Sequence, residues 1–139
     1  MISRRSFVSK SALALAGFSI SKNSTPSIIS QNKNSLPIVI STWNHGLPAN
    51  EAAWEILSKG GKSLDAVEAG VRIPEADPDV ITVGYGGIPD SSGKVTLDAC
   101  IMDEKGRAGS VAFLEHIKHP ISVARLVMEK TPHVMLTGK

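Results

Sequence analysis

The stretch VTLDACIMDEKGRAGSVAFL, residues 95–114, decides the fold of this 139-residue chain. Apolar and polar residues alternate through residues 95–102, which is the pattern of a β-strand that buries one face. The following DEKG, residues 103–106, is typical of a tight turn that leads into a second strand at residues 108–114. The sequence therefore predicts an antiparallel hairpin at the centre of the fold.

A helix and a further strand are predicted after this hairpin. Pro120 favours a helix start, because its fixed backbone angle suits the first helical position and its missing N–H is not needed there. The apolar residues Ile121, Ala124 and Met128 then recur at helical spacing. Residues 134–136 predict another short strand.

A strand and two helices are predicted before the hairpin. The strand at residues 37–43 is expected to be buried, since PIVISTW is apolar and rich in β-branched residues. Pro48 opens the first predicted helix and Gly60 ends it. Ser63 is expected to cap the second helix, which ends near Pro74. Helices and strands in this order predict an α/β or α+β fold.

The net charge of +2 comes entirely from the first 36 residues. Five bases and no acid lie there, whereas residues 37–139 hold ten bases and thirteen acids, a net charge of −3. The main part of the chain therefore lacks the basic excess of a nucleic-acid-binding protein, and no nucleic acid is expected as a partner. A hydrophobic content of 42% is sufficient for a buried core, and the single cysteine excludes an intramolecular disulfide framework.

The beginning of the chain has the composition of an export signal followed by a linker. Arg4 and Arg5 precede an apolar run at residues 12–20, a pattern that resembles the twin-arginine type of signal. We expect the signal to span residues 1–24, a flexible linker to span residues 25–36, and the protein to be periplasmic. The apolar run is shorter than the roughly 20 residues of a membrane-spanning helix, so no membrane span is expected.

Three features could carry chemistry, and the residues favour a structural interpretation of each. The glycines of GYGG, in the predicted loop at residues 76–93, lack the spacing of a phosphate-binding loop and indicate close backbone packing or positive φ. His116 and His119 have no third ligand at a suitable spacing, so solvated or capping roles are favoured over a metal site. Cys100 is predicted to be an inert core thiol.

Ordered blocks along the chain resemble one enzyme family. They are PIVISTW (37–43), LDAVEAGV (64–71), VGYGGIPD (83–90), TLDACIMD (96–103) and TPHVML (131–136). In this order and at these spacings they resemble the start of the glycosylasparaginase family of N-terminal-nucleophile hydrolases. The resemblance runs from residue 37 to about residue 138, and residues 37–139 are interpreted as a partial α-chain domain.

This resemblance implies a fold, a reaction and partners. The fold would be a four-layer αββα sandwich, truncated here. A precursor would cleave itself before a threonine, whose free α-amino group then serves as base for its own hydroxyl. The reaction would be hydrolysis of the amide between asparagine and N-acetylglucosamine in glycoasparagine, with no metal and no organic cofactor. The partner would be a β chain from the same precursor, which gives an α/β heterodimer or a dimer of it.

The site residues implied by the resemblance are few. Trp43 would contact the substrate, although a core aromatic at a strand end is an equally good interpretation. None of the six threonines follows an aspartate as the self-cleavage site requires, so no catalytic residue is expected in this chain and the nucleophile would lie beyond Lys139. The chain alone is expected to be inactive. The alternatives are an isoaspartyl peptidase/L-asparaginase of the same fold, and a non-catalytic fragment that only binds a partner.

Overall fold

The computed structural model describes residues 36–138 of the chain. The predicted signal, and the linker as far as residue 35, lie outside the described residues. None of the helices within the described part combines the length and the apolar character needed to cross a membrane. The elements are α1 (Gly46–Leu57), α2 (Ser63–Ala76), β1 (Leu97–Met102), β2 (Ala108–Leu114), α3 (Pro120–Lys130) and β3 (Met135–Thr137).

The three strands form one mixed sheet in the order β1-β2-β3. β1 and β2 are antiparallel, with Ala99 opposite Val111, and they form the predicted hairpin. Asp103 stabilises the turn between them, because its Oδ1 accepts hydrogen bonds from the backbone N–H groups of Lys105 and Arg107. α3 then carries the chain across the sheet so that β3 pairs with β2 in parallel. The predicted α/β class is therefore confirmed.

The core lies between α3 and one face of this sheet. Its buried side chains come from β1, β2 and α3. Gly109 of β2 lets the helix approach closely, because a Cβ at this position would overlap the carbonyl oxygen of Ala124. The predicted apolar stripe of α3 is confirmed, since each of its members is buried. The core residues are Ile101, Val111, Ile121, Ala124 and Val127.

The opposite face of β1 is exposed, which corrects the interpretation of Cys100. The strand alternates as predicted, with Leu97 and Ile101 buried and Asp98 and Met102 exposed. Cys100 follows the period of the exposed side chains and is itself exposed, so the prediction of a core thiol was wrong. Apolar neighbours along the sequence do not bury a residue that points to the other face of a strand.

Residues 37–43 do not form the predicted strand. Ile38 and Ile40 are 78% and 83% exposed, and no strand of the described residues pairs with this segment. A strand needs a neighbour for its backbone N–H and C=O groups, and an apolar β-branched composition alone does not supply one. The prediction of a buried strand was therefore wrong for the described part of the chain.

The two helices before the hairpin are present, with shifted ends. α1 begins at Gly46, two residues before the predicted Pro48. Lys62, and not Ser63, is the N-cap residue of α2, and no side chain caps this end. α2 continues to Ala76, since a proline in the last turn removes one backbone hydrogen bond without ending the helix. α1 and α2 pack against each other, and α2 also contacts α3.

Candidate functional site

A cavity of about 310 Å³ opens beside Trp43, and we call it the Trp43 cavity. Its walls come from the segment before α1, the C-terminal end of α2, the loop that contains Gly84, the exposed face of β1 and the N-terminal end of α3. Segments that are distant along the chain therefore line the same cavity. The residues that line it include Trp43, Glu75, Gly84, Cys100 and Pro120.

Trp43 is an exposed side chain on the wall of this cavity. The residue is 66% exposed, and its ring stacks on the imidazole of His45, with the two ring centroids 6.3 Å apart and the planes at 6°. Its position is fixed locally, because its carbonyl accepts a hydrogen bond from the N–H of Gly46 at the start of α1, at 2.8 Å. The interpretation of Trp43 as a packed core aromatic was wrong. Its contact with substrate stays a prediction.

Glu75 is buried at the point where α2 ends. Only 3% of the residue is exposed, and its Oε1 accepts a hydrogen bond from the backbone N–H of Ile121, at 3.0 Å. A carboxyl group there satisfies a free N–H of the first turn of α3. Burial raises the pKa of Glu75 from 4.5 to about 7, although the Ile121 N–H and the charge of Arg72 act in the opposite direction.

His119, the N-cap residue of α3, faces the second oxygen of Glu75. Its Nδ1 lies 3.4 Å from Glu75 Oε2, and its side chain is 22% exposed. Burial, followed by the charges of Arg72 and Lys118, lowers the pKa of His119 below 6.5. This shift favours the neutral imidazole over its charged form.

His116 and His119 face different carboxyl groups. His116 is 92% exposed, with its Nε2 3.8 Å from Glu115 Oε2, which confirms the prediction of a solvated histidine. His119 lies at the helix cap position, but its side chain makes no capping hydrogen bond. Within residues 36–138, no cluster of three or more histidine, cysteine, aspartate or glutamate side chains is arranged to hold a metal ion.

The glycine-rich loop packs closely on the backbone of Glu75, which confirms the predicted close backbone packing. Gly84 has φ +68°, and a Cβ there would overlap the carbonyl oxygen and Cα of Glu75. The next residue, Tyr85, donates its backbone N–H to the same carbonyl oxygen at 3.4 Å. This pairing holds the loop against the end of α2 and thereby closes one side of the Trp43 cavity.

A larger cavity, of about 690 Å³, lies between the turn before β1 and the residues that follow β2. Lys94 Nζ lies 3.6 Å from the buried carboxyl of Glu115 in its wall, and Lys118 Nζ lies 5.4 Å from the centre of the Tyr85 ring. Glu115 Oε1 in this wall is buried and makes no hydrogen bond, but no residue that the sequence predicted to contact substrate lines this cavity. The Trp43 cavity is the stronger candidate, because it contains the sequence-predicted Trp43 together with Glu75, a carboxyl group whose Oε2 makes no hydrogen bond.

Sequence reasoning missed Glu75, and for His119 it favoured a solvated or capping role over a metal site. Forty-four positions separate the two residues, so no local pattern joins them. A weak signal was present: Glu75 directly follows Pro74, near which the helix was predicted to end, and His119 directly precedes Pro120, which starts the next helix. Each is therefore at a helix end, where side chains commonly bind free backbone groups.

Comparison with known proteins places the chain among relatives of named activity. A protein from Elizabethkingia miricola named N(4)-(beta-N-acetylglucosaminyl)-L-asparaginase is 58% identical over 138 residues, which are 97% of this chain and 41% of that protein. A Mus musculus protein of the same name is 50% identical over 91 residues, 65% of this chain and 26% of that protein. An isoaspartyl peptidase/L-asparaginase from Rattus norvegicus is 46% identical over 87 residues, 62% of this chain and 26% of that protein.

The chain thus spans from about a quarter to about two fifths of the length of these curated relatives. The sequence profile of one family, described as asparaginase, matches residues 41–139. That match includes Trp43 and every helix and strand described above. The resemblance expected from the ordered sequence blocks is confirmed: the chain belongs to the asparaginase family of amidohydrolases.

Proposed function

We propose that this chain is part of an enzyme that hydrolyses the amide bond between asparagine and N-acetylglucosamine in glycoasparagine. The observation that carries the proposal is the 58% identity to the Elizabethkingia miricola glycosylasparaginase over 97% of the chain. The exposed ring of Trp43 on a cavity wall supports it, because an aromatic face offers a large apolar contact for a bound ligand. A cavity of this size accommodates a small ligand or part of one.

We infer that the nucleophile is a threonine from a segment beyond Lys139. The chain matches only 41% of the Elizabethkingia miricola relative, and none of its own threonines follows an aspartate. A threonine freed at a new N-terminus has an α-amino pKa of about 7.7–8.0, so that amino group can accept the hydroxyl proton near neutral pH. The 139-residue chain alone is then inactive, and its partner is the chain that carries this threonine.

The proposal also includes export to the periplasm. Arg4 and Arg5 before the apolar run at residues 12–20 support it. A fusion of residues 1–36 to a reporter protein tests the signal: the reporter is expected in the periplasm, and the double variant R4K/R5K is expected to retain it in the cytoplasm. Equal export of both fusions by the general secretory route would contradict the twin-arginine assignment.

A chimera tests the proposed activity. In it, the 139-residue chain replaces the segment that it matches in the Elizabethkingia miricola relative, so that the remainder of the enzyme is present. The chimera is expected to release aspartate from glycoasparagine, whereas the 139-residue chain alone is expected to release none. Trp43→Ala is expected to raise KM, and Trp54→Ala on α1 is the matched control, because Trp54 is also exposed but does not line the Trp43 cavity.

The substrates used in this assay separate the alternatives. A chimera that cleaves isoaspartyl dipeptides and not glycoasparagine would overturn the proposal in favour of an isoaspartyl peptidase, the activity named for the 46% identical rat relative. A folded chimera that cleaves neither substrate would favour a chain that acts only as a binding partner. The parent enzyme, assayed in parallel, is the positive control.

A further inference from the structure

Glu75 and His119 each present a buried polar atom that makes no hydrogen bond. These atoms are Glu75 Oε2 and His119 Nδ1, and they lie 3.4 Å apart. An unsatisfied buried polar atom is costly, and 3.4 Å is only slightly longer than an ordinary hydrogen bond, so a small adjustment of either side chain would join these two atoms by one. One proton between the oxygen and the nitrogen satisfies both atoms.

The surroundings favour an uncharged pair. Burial acts on both groups against their charged forms, which raises the pKa of Glu75 to about 7 and lowers the pKa of His119. The charged groups that act on the pair are Arg72 and Glu68 of α2, and Lys118 before α3. In the neutral arrangement, the carboxyl O–H of Glu75 donates to Nδ1 of His119, and the imidazole keeps its proton on Nε2.

Glu75 also joins three walls of the Trp43 cavity. Its Oε1 accepts the Ile121 N–H at the start of α3, its own backbone lies in the last turn of α2, and its carbonyl accepts the Tyr85 N–H from the glycine-rich loop. The partner His119 holds the Oε2 side of the same carboxyl group. Loss of the side-chain pair would therefore remove the contact that joins the end of α2 to the start of α3, at the residue whose backbone also holds the glycine-rich loop.

We propose that Glu75 and His119 form a hydrogen-bonded pair that fixes the wall of the Trp43 cavity, and that they act as positioning residues for the substrate bound there. The proposal rests on the proposed function, because it takes glycoasparagine as that substrate. Neither residue is assigned a role in bond cleavage. Their effect reaches the substrate through the positions of α3, the glycine-rich loop and the cavity that these segments enclose.

Two measurements on the chimera test this proposal. The first compares Glu75→Leu with Glu75→Gln in the hydrolysis of glycoasparagine. The glutamine carbonyl can accept the Ile121 N–H, and its amide can donate to His119, so E75Q is expected to keep KM within about twofold of the unsubstituted chimera. E75L is expected to raise KM about tenfold with a smaller change in kcat, because leucine can form a hydrogen bond neither with the Ile121 N–H nor with His119.

The second measurement is a double-variant cycle in urea unfolding, with Glu75→Leu, His119→Phe and both together. If the two side chains form a pair, the urea midpoint of the double variant is expected to be no lower than that of the more destabilised single variant. Additive losses would overturn the pair. Glu104→Gln, an exposed glutamate in the hairpin turn, is the control for E75Q and is expected to change neither KM nor the midpoint.

Binding of glycoasparagine, measured by calorimetry, keeps the two proposals separable. If the chimera binds glycoasparagine without hydrolysing it, the proposed function fails, and a weaker affinity of E75L than of E75Q still supports the positioning pair. If hydrolysis is normal and E75L matches E75Q in KM and affinity, the positioning role is overturned while the function stands. If the chimera does not bind glycoasparagine at all, both proposals are overturned.

Discussion

Arg125 on α3 binds Glu68 on α2, with Nη1 of the arginine 2.8 Å from Oε2 of the glutamate. The same guanidinium contacts Asp65 on α2 at 2.7 Å and Glu129 on its own helix at 2.9 Å. Burial alone would raise the pKa of Glu68, but hydrogen bonds from Ser122 and Arg125 outweigh it and lower that pKa. This ion-pair cluster connects α3, which packs on the sheet, to α2, which packs on α1.

We expect Arg125→Met to lower the free energy of unfolding of the chimera by about 1–3 kcal/mol, between the values typical of exposed and of buried ion pairs. The physical reason is that Glu68, which is 18% exposed, loses its cation. Urea unfolding measures the difference. Lys105→Met removes an equal charge from an exposed turn residue and is expected to cost much less; similar losses for both variants would contradict the prediction.

The pH dependence of stability is expected to change in Glu75→Gln. The folded-state pKa of Glu75, about 7, is higher than the ordinary value of 4.5, so its stabilising contribution is complete below pH 4.5 and is lost as the pH rises to 7. Glutamine does not titrate. The stability of E75Q relative to the unsubstituted chimera is therefore expected to increase by roughly 1–3 kcal/mol between pH 4.5 and pH 7.

Urea unfolding at several pH values checks this change. The pKa of His119 is shifted in the opposite direction and contributes with the opposite sign, so the comparison keeps His119 in both proteins. A difference between the two proteins that stays constant from pH 4.5 to pH 7 would show that Glu75 titrates normally.

Gly84→Ala is expected to destabilise the protein by about 2–4 kcal/mol, because it combines backbone strain with an overlap. The position has φ +68°, and the new methyl group would meet the backbone of Glu75. Gly93→Ala is the matched control: its φ is +81°, but nothing lies within 4 Å of the new Cβ, so only the strain of about 1 kcal/mol is expected. Thermal unfolding of the two variants checks which one is less stable. An equal decrease in stability for both would contradict the predicted overlap at Gly84.

The isolated 139-residue chain is expected to self-associate. Ile38 and Ile40 are largely exposed, and such apolar surface promotes association when nothing covers it. The double variant I38N/I40N is expected to reduce light scattering more than Leu126→Asn, which changes a half-exposed residue on α3. A monodisperse monomer of the unsubstituted chain with a sharp and reversible thermal transition would contradict this expectation.

Local patterns predicted the elements that pack on a neighbour close in sequence. The hairpin and the helix that begins at Pro120 could be identified because alternation, turn residues and helical spacing are short-range signals. Residues 37–43 were misassigned because pairing of a strand depends on a distant partner. Cys100 was misassigned because composition does not tell which face of the sheet α3 covers.

The candidate site was predictable only in part for the same reason. Trp43 could be proposed because it belongs to a sequence block that resembles a known family. The contact between Glu75 and His119 joins the ends of two helices separated by the whole hairpin, and nothing in either local sequence encodes it. Sites of this kind depend on tertiary contacts, which cannot be predicted from the pattern of neighbouring residues.

The parallel pairing of β3 with β2 has a consequence for how the chain acquires its structure. The register places Met135 beside Ser110, only 25 positions earlier, and α3 fills the interval. The entropy lost in closing such a short interval is small, and part of it is already offset by helix formation. The hairpin, the crossover helix and the last strand are therefore expected to assemble rapidly and to form an early folding nucleus. During synthesis, they are expected to assemble in the order in which they leave the ribosome.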